Sequence, residues 1–360
     1  MSELLQQLVF ILSLILLYSP DNELIIFSPA IIASYIFLYL SAKIVIKDLV
    51  IVNLLILGIL VIAINPMLEW KEIARLLFSV GCVLGLNYIK INSQKAFLPI
   101  FLFFLMELAL RIYFGNLSEL SIYAIKSGTG LFADSNFVGV ILVFCVAGLI
   151  DSGNQEYKKI ATLLFFLAMT FSRTAWLMLA VYLISKHNRK LGILLVIFAA
   201  VVPYYCVVNQ IDVSSIDGSF ASKIAIFKTF AYLLQTEPFS LLWGLGRTLP
   251  GEIGGAINGE NYQGHTVFGQ IVQYGLVLSF IFYFLAYRLS KWVSRNSFSY
   301  IVALLFGGFL GLSPTSYFGI TLLVYGVFNR RIKGGLGNLP SPSIFDKKHK
   351  VVHETDNEQP

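Results

Sequence analysis

The length of the apolar runs limits this chain most. A helix needs about 20 consecutive apolar residues, within roughly 17–25, to cross the hydrocarbon core of a bilayer. Runs of that order recur at 4–19, 24–42, 49–64, 73–89, 96–114, 134–150, 191–209, 263–287, 298–313 and 317–329. In a chain of 360 residues, 57% hydrophobic and 13% charged, that is more apolar surface than one soluble core can hide. The expected fold is all-α, a polytopic integral membrane protein. The net charge of +6 is then read by position along the chain and not as a nucleic-acid signal. The opening MSELLQQLVF has no basic stretch and no small-residue cleavage site, and reads as the start of the first membrane helix. Cys82, Cys145 and Cys206 lie in apolar segments with no disulfide or metal-ligand spacing, and read as buried thiols.

One further run, 160–185, carries Arg173 near its middle. A fixed charge at the bilayer centre costs about 2.5–3.5 kcal/mol on insertion scales, so it needs a reason. The flanks supply one. Lys158 and Lys159 precede the run, and Lys186, Arg189 and Lys190 follow it. Basic flanks favour the cytoplasm, so the run must cross an even number of times. The expectation is two short arms, 160–171 and 174–185, turning at Ser172–Arg173. Each arm is about 18 Å long at 1.5 Å per residue, so the turn must lie below the far surface, in protein or in a wet cavity. The chain then has about twelve transmembrane helices and both termini in the cytoplasm. The tail 330–360, rich in Gly, Pro and charge, reads as a disordered cytoplasmic extension to the membrane domain 1–329.

On this topology eight of the 26 Lys and Arg residues fall on the outer side: Lys71, Arg75, Arg111, Lys126, Arg173, Lys223, Lys228 and Arg247. The arginines among them oppose the positive-inside trend and suggest an anionic ligand at the outer leaflet, since a guanidinium fork suits phosphate oxygens. Arg111 has a plainer reading as well, because Glu107 lies one helical turn earlier and can pair with it. Arg75 can simply snorkel to the interface. The long outer loop 210–262 holds Phe220, Ile224, Phe227, Ala231 and Leu234 at helical spacing. This predicts an amphipathic helix over 219–234 lying on the outer membrane surface, with Lys223 and Lys228 at headgroup level. His265, where that loop enters a membrane run, has the unperturbed pKa that suits a general base. It can equally cap or pack a helix end. Asp134, Asp212, Asp217, Glu252 and Glu260 are alternative bases, and Asp134 with Asn136 can be no more than a helix start.

Four patches over roughly 120–290 carry a family resemblance. They are FADSNFVGVIL at 132–142, MTFSRTAWLMLA at 169–180, KIAIFKTFAYLLQTEPFSLLWGLG at 223–246, and GHTVFGQIVQYGLVLSF at 264–280. In this order they resemble the O-antigen polymerase and O-antigen ligase superfamily: an Asp-x-Asn helix entry, a Ser-Arg turn, an outer-loop helix followed by Pro and Gly-x-Gly, and a His-bearing helix with a glycine ten residues on. The resemblance implies a GT-C-like fold in the bacterial inner membrane and a glycosyltransferase acting on undecaprenyl-diphosphate-linked oligosaccharide. It implies no cofactor or obligatory metal, and a chain-length regulator protein as partner besides the lipid bilayer. Carried onto this chain, Arg173 and Arg247 would stabilise the departing diphosphate and His265 would deprotonate the acceptor. Arg75, Arg111, Asp134, Asn136, Lys223 and Lys228 would bind substrate. Lys223 stands where the family often has arginine, and Thr266 where its ligases usually have asparagine, which favours polymerase over ligase. The other readings are a ligase acting on a lipid A core, a flippase or transporter, and a scaffold without chemistry.

Overall fold

The computed structural model describes residues 10–11, 49–64, 93–114, 135–153, 156–211, 218–246, 249–258, 266–294, 296–310 and 314–329. Among these residues all regular structure is helical. The helices are α1 Leu49–Ile64, α2 Ser93–Phe114, α3 Ser135–Ser152, α4 Tyr157–Met169, α5 Arg173–His187, α6 Arg189–Val208, α7 Gly218–Thr236, α8 Pro238–Trp243, α9 Leu249–Asn258, α10 Val267–Val293, α11 Ser297–Leu310 and α12 Pro314–Asn329. By length and apolar composition, Lys95–Phe114, Ser135–Ser152, Arg189–Val208 and Val267–Lys291 can each cross a membrane, and Ser297–Leu310 and Phe318–Asn329 are shorter apolar helices. These are the helices of a membrane protein. Of the run expected at 4–19 only Phe10 and Ile11 are described, and the runs expected at 24–42 and 73–89, residues 115–133 and the tail 330–360 lie outside the described residues.

Helix α3 is the axis of the bundle. Its sequence is apolar around its whole circumference, so it has no solvent face to offer and is buried nearly throughout. Gly148 lets α12 approach it: a Cβ there would stand 2.7 Å from the Tyr325 carbonyl oxygen and 2.9 Å from Phe328 Cβ. Helix α5 packs on another side of α3 and in turn against α6 and α11.

The disputed run 160–185 is two helices. They break at Thr170–Phe171–Ser172, where Phe171 takes a φ of +50°. The break strands little backbone: Thr170 N–H donates to Phe166 O and Leu167 O, Phe171 N–H donates to Ala168 O, and Ser172 Oγ accepts from Ala175 N–H at 3.3 Å as the cap of α5. Two bonds give the direction of the arms. Ser172 Oγ donates to Asn136 Oδ1 at 2.7 Å, joining the starts of α5 and α3. Lys186 Nζ donates to Asp151 Oδ1 at 2.7 Å, joining their ends. Helices α3 and α5 therefore run parallel, and α4 between them in sequence runs back.

The two ends of the bundle differ. At the Asp151 end, the Asp151 carboxylate accepts from the phenols of Tyr182 and Tyr325 as well as from Lys186. At the Asn136 end, α10 departs from the single span expected at 263–287. Gly275, at φ +83°, breaks it into 267–274 and 276–293. Tyr283 Oη donates to Gln270 Oε1 at 3.0 Å. Those residues would stand about 20 Å apart along a straight helix, so the first piece bends across the bundle end. There Phe268 packs on Phe309 of α11 and on Phe227 and Phe230 of α7. The piece 276–293 is itself about 27 Å long at 1.5 Å per residue, close to a full hydrocarbon core.

The break is filled by the outer loop. In a continuous helix the carbonyls of Val272 and Gln273 would accept from residues 276 and 277. Here they accept from Leu245 N–H at 2.9 Å and Gly246 N–H at 3.0 Å. Gly244, at φ +88°, lies so close to Gly275 that a Cβ on either would overlap backbone of the other segment. The Gly-x-Gly at 244–246 and the glycine ten residues after His265 are thus two halves of one crossing, which explains why both must lack a side chain.

Candidate functional site

The candidate site is built where α3 and α5 begin. Ser172 is fully buried and caps α5; Arg173 is the first residue of that helix and is exposed. Asn136, in the first turn of α3, receives the Ser172 hydroxyl. Two helix N-termini therefore converge, and each carries a partial positive charge of about half an elementary charge. With a guanidinium at the junction, the place favours an anion, because N–H groups and charge point the same way. Ser135 adds a second feature: its hydroxyl is buried with no hydrogen-bond partner among the described residues. An unpaired buried hydroxyl is costly, and a ligand oxygen would relieve it.

Gly139 sets the spacing. One turn along α3 from Ser135, it faces the start of α5: a Cβ would meet Ala175 Cβ at 2.8 Å and Ser172 Cβ at 3.1 Å. The Gly139→Ala variant must push the Ser172–Arg173 turn outward by a few tenths of an ångström or more. Small displacements of a positioning group can cost up to about a hundredfold in rate. If the site performs the glycosyl transfer that the sequence resemblance implies, the variant is expected to accumulate in the membrane near wild-type levels and to lose at least about tenfold in product; an immunoblot of the protein set against the amount of glycan separates the two effects. Unchanged product would show that the spacing does not matter.

The expected site residues fall into four groups. Arg173 and Asn136 come together at the convergence of α3 and α5. Arg111 does not join them through any hydrogen bond described. It is buried, and its Nε donates to Glu107 Oε1 at 2.6 Å, a pair within α2. Its plainer sequence reading, pairing with Glu107, is therefore the geometry found, and breaking such a pair exposes an uncompensated buried charge. Lys223 is half-buried and Lys228 exposed, both on α7. Arg75, Asp134, Arg247 and His265 lie outside the described residues. Thr266, which follows His265, is buried and caps α10 by accepting from Gly269 N–H at 3.2 Å. The ring contact of Phe268 with Phe309 puts this cap at the same bundle end as Arg173.

Helix α7 forms where the sequence predicts it but not with the surroundings expected. Ile224 and Phe227 of the apolar stripe are buried, together with Ala225, Ile226, Thr229 and Leu233, while Leu234 is exposed. Ile224 packs with Cys206 at the end of α6, and Leu233 with Leu241 and Val272. The helix is thus docked into protein instead of resting its stripe on the membrane surface. The reason is the bend at Gly275, which brings Phe268 under Phe227 and Phe230. Sequence reasoning also passed over Ser135, Gly139 and the Asp151 cluster. A serine beside Asn136 and a glycine one turn on were visible as residues, but their importance depends on which helix packs there. Cys145 and Cys206 are buried free thiols, as expected; Cys82 is outside the described residues.

Comparison with protein-family models, with curated proteins and with solved structures finds no match for this chain.

Proposed function

We propose that this protein is an O-antigen polymerase of the bacterial inner membrane. It would join undecaprenyl-diphosphate-linked oligosaccharide repeat units at the periplasmic face, with twelve crossings, cytoplasmic termini and a GT-C-like arrangement. The observation that carries the reading is the convergence of the α3 and α5 N-termini at Arg173, held by the Ser172–Asn136 hydrogen bond at 2.7 Å. That arrangement is suited to a diphosphate. In the reaction an acceptor hydroxyl oxygen attacks the anomeric carbon, the bond from that carbon to the diphosphate oxygen breaks, and undecaprenyl diphosphate leaves. The hydroxyl proton passes to a base, for which His265 is the candidate. Arg173 and Arg247 balance the charge that develops on the leaving group, the largest single contribution in such reactions. Lys223 and Lys228 on α7, with Arg75, Arg111, Asp134 and Asn136, are the proposed binding residues. Arg111 would act there only indirectly, given its pairing with Glu107. A chain-length regulator is the proposed protein partner.

The break in α10 bears on the transporter alternative. Transporters use broken helices whose freed carbonyls coordinate ions. Here the carbonyls of Val272 and Gln273 are taken by Leu245 and Gly246, which favours an enzyme with a fixed outer loop over an ion-coupled carrier. The test is a gel of surface lipopolysaccharide from a deletion strain. A core bearing a single repeat unit is the expected result, since polymerisation alone is lost. A bare core with long lipid-linked chains accumulating outside would replace the polymerase reading with a ligase. A bare core without them would replace it with a transporter.

A further inference from the structure

The middle of the α7 apolar stripe, Ile224 and Phe227, is buried inside the protein, and the segment after that helix is apolar and exposed. Residues 238–246 read PFSLLWGLG, with no charged side chain. The short helix α8 divides its residues. Leu241 is buried against Leu233 and Val272, which holds the helix to the bundle. Phe239 is 78% exposed, Trp243 50%, and Leu242 is also exposed. In water such a group of side chains would be unfavourable and prone to association.

Its position says what covers it. Leu245 and Gly246, which follow α8, are hydrogen-bonded into the break at Gly275, and Gly244 lies against Gly275 itself. From that crossing the membrane-length piece 276–293 sets out. Its outward side chains Leu276, Phe280 and Phe284 are exposed, and the last two rings stack at 6.2 Å. An apolar exposed face on a membrane-length helix is a lipid-facing face. The backbone of α8 at Leu242–Trp243 lies against Gly275, where that membrane-length piece begins, near one surface of the hydrocarbon core. Tryptophan and aromatic rings are favoured at that depth, where an apolar body meets headgroups.

We propose that α8 is an interfacial anchor, with Phe239, Leu242 and Trp243 inserted into the leaflet at the Asn136 end of the bundle. It fixes the height of the bent piece 267–274 and of α7 relative to the bilayer through the Gly244–Gly275 crossing. The role expected for α7 at the membrane surface thus belongs to its neighbour. This inference needs only a membrane-embedded bundle and holds whatever reaction the protein performs.

The test is depth-dependent quenching. Trp70, Trp176 and Trp292 are replaced by phenylalanine, leaving Trp243, and the full-length protein is reconstituted into phosphatidylglycerol–phosphatidylethanolamine vesicles carrying doxyl-labelled lipid. Trp243 is expected to be quenched more by a label near the headgroup than by one near the chain end, and to be shielded from aqueous iodide. Efficient iodide quenching with no response to either lipid label would overturn the proposal. A second measurement covers the case in which the multiple variant does not fold. A thiol introduced by Phe239→Cys should react slowly with a membrane-impermeant maleimide in intact membranes and rapidly after detergent extraction. Rapid labelling in intact membranes, above the wild-type background, would overturn it as well.

Discussion

If the protein is the polymerase proposed above, Arg173→Ala is expected to abolish chain extension while leaving the amount of protein in the membrane unchanged. Arg173 is exposed at the first position of α5, so its removal opens no cavity in the core. The cap of α5 remains, because Ser172 and not Arg173 accepts from Ala175 N–H. What is lost is the guanidinium at the meeting point of two helix N-termini. Removing one preorganised group that balances developing charge costs roughly 10²–10³ in rate. Arg173→Lys should fall between the two, since an ammonium keeps the charge and loses the bidentate fork. The measurement is conversion of purified lipid-linked repeat units by protein in proteoliposomes, with membrane levels followed in parallel. Wild-type-like turnover by Arg173→Ala would overturn the role given to the convergence at Arg173 and the proposed function with it.

The second large effect is on stability, at the other end of the bundle. Asp151 has a side chain only 1% exposed and holds three donors at once. Lys186 Nζ bonds to Oδ1 at 2.7 Å; Tyr325 Oη at 2.6 Å and Tyr182 Oη both bond to Oδ2. Tyr325 Oη also lies 2.7 Å from Ser294 Oγ, at the junction of α10 and α11. One carboxylate thereby ties α3, α5 and α12 to that junction. Asp151→Ala leaves an ammonium without its acid and takes the carboxylate acceptor from two buried phenols, which keep only each other and Ser294. Leaving a buried polar group without its partner costs about 1–3 kcal/mol, more when a charged group is involved. Lys186→Ala should cost less, because Lys186 is partly exposed and the carboxylate keeps its two phenol donors. Thermal unfolding in detergent should therefore rank wild type above Lys186→Ala and that above Asp151→Ala. A melting temperature for Asp151→Ala equal to that of wild type would show that the cluster does not hold the bundle together.

The two ends also show what kind of information a sequence holds. The break at Ser172 was legible because two local features agreed: a charge inside an apolar run, and basic flanks that demanded an even number of crossings. The helices α1, α2, α3 and α6 were legible from apolar run length alone. Helix α7 was legible as a helix, because the 3.6-residue period is local, but not in its surroundings. The pairing of Arg111 with Glu107 was legible too, since four residues on a helix are neighbours wherever the helix packs.

Asp151 and Lys186 are 35 residues apart in sequence, and Asp151 and Tyr325 are 174 apart. No periodicity marks such pairs, and each residue alone reads as a loop charge or a belt aromatic. The break at Gly275 was hidden for a related reason. An apolar run with a single glycine reads as a helix, because a helix satisfies its own backbone and a break in lipid strands carbonyls. Only when Leu245 and Gly246 arrive from elsewhere in the chain does the break become stable. The sequence by itself therefore determined the long apolar helices other than the broken α10, the membrane class and the turn that carries Arg173, all of which follow from local hydropathy and charge. The tertiary structure decided which helix ends meet, where α10 bends and which face of α7 is buried, because those depend on partners that supply hydrogen bonds and space from distant positions.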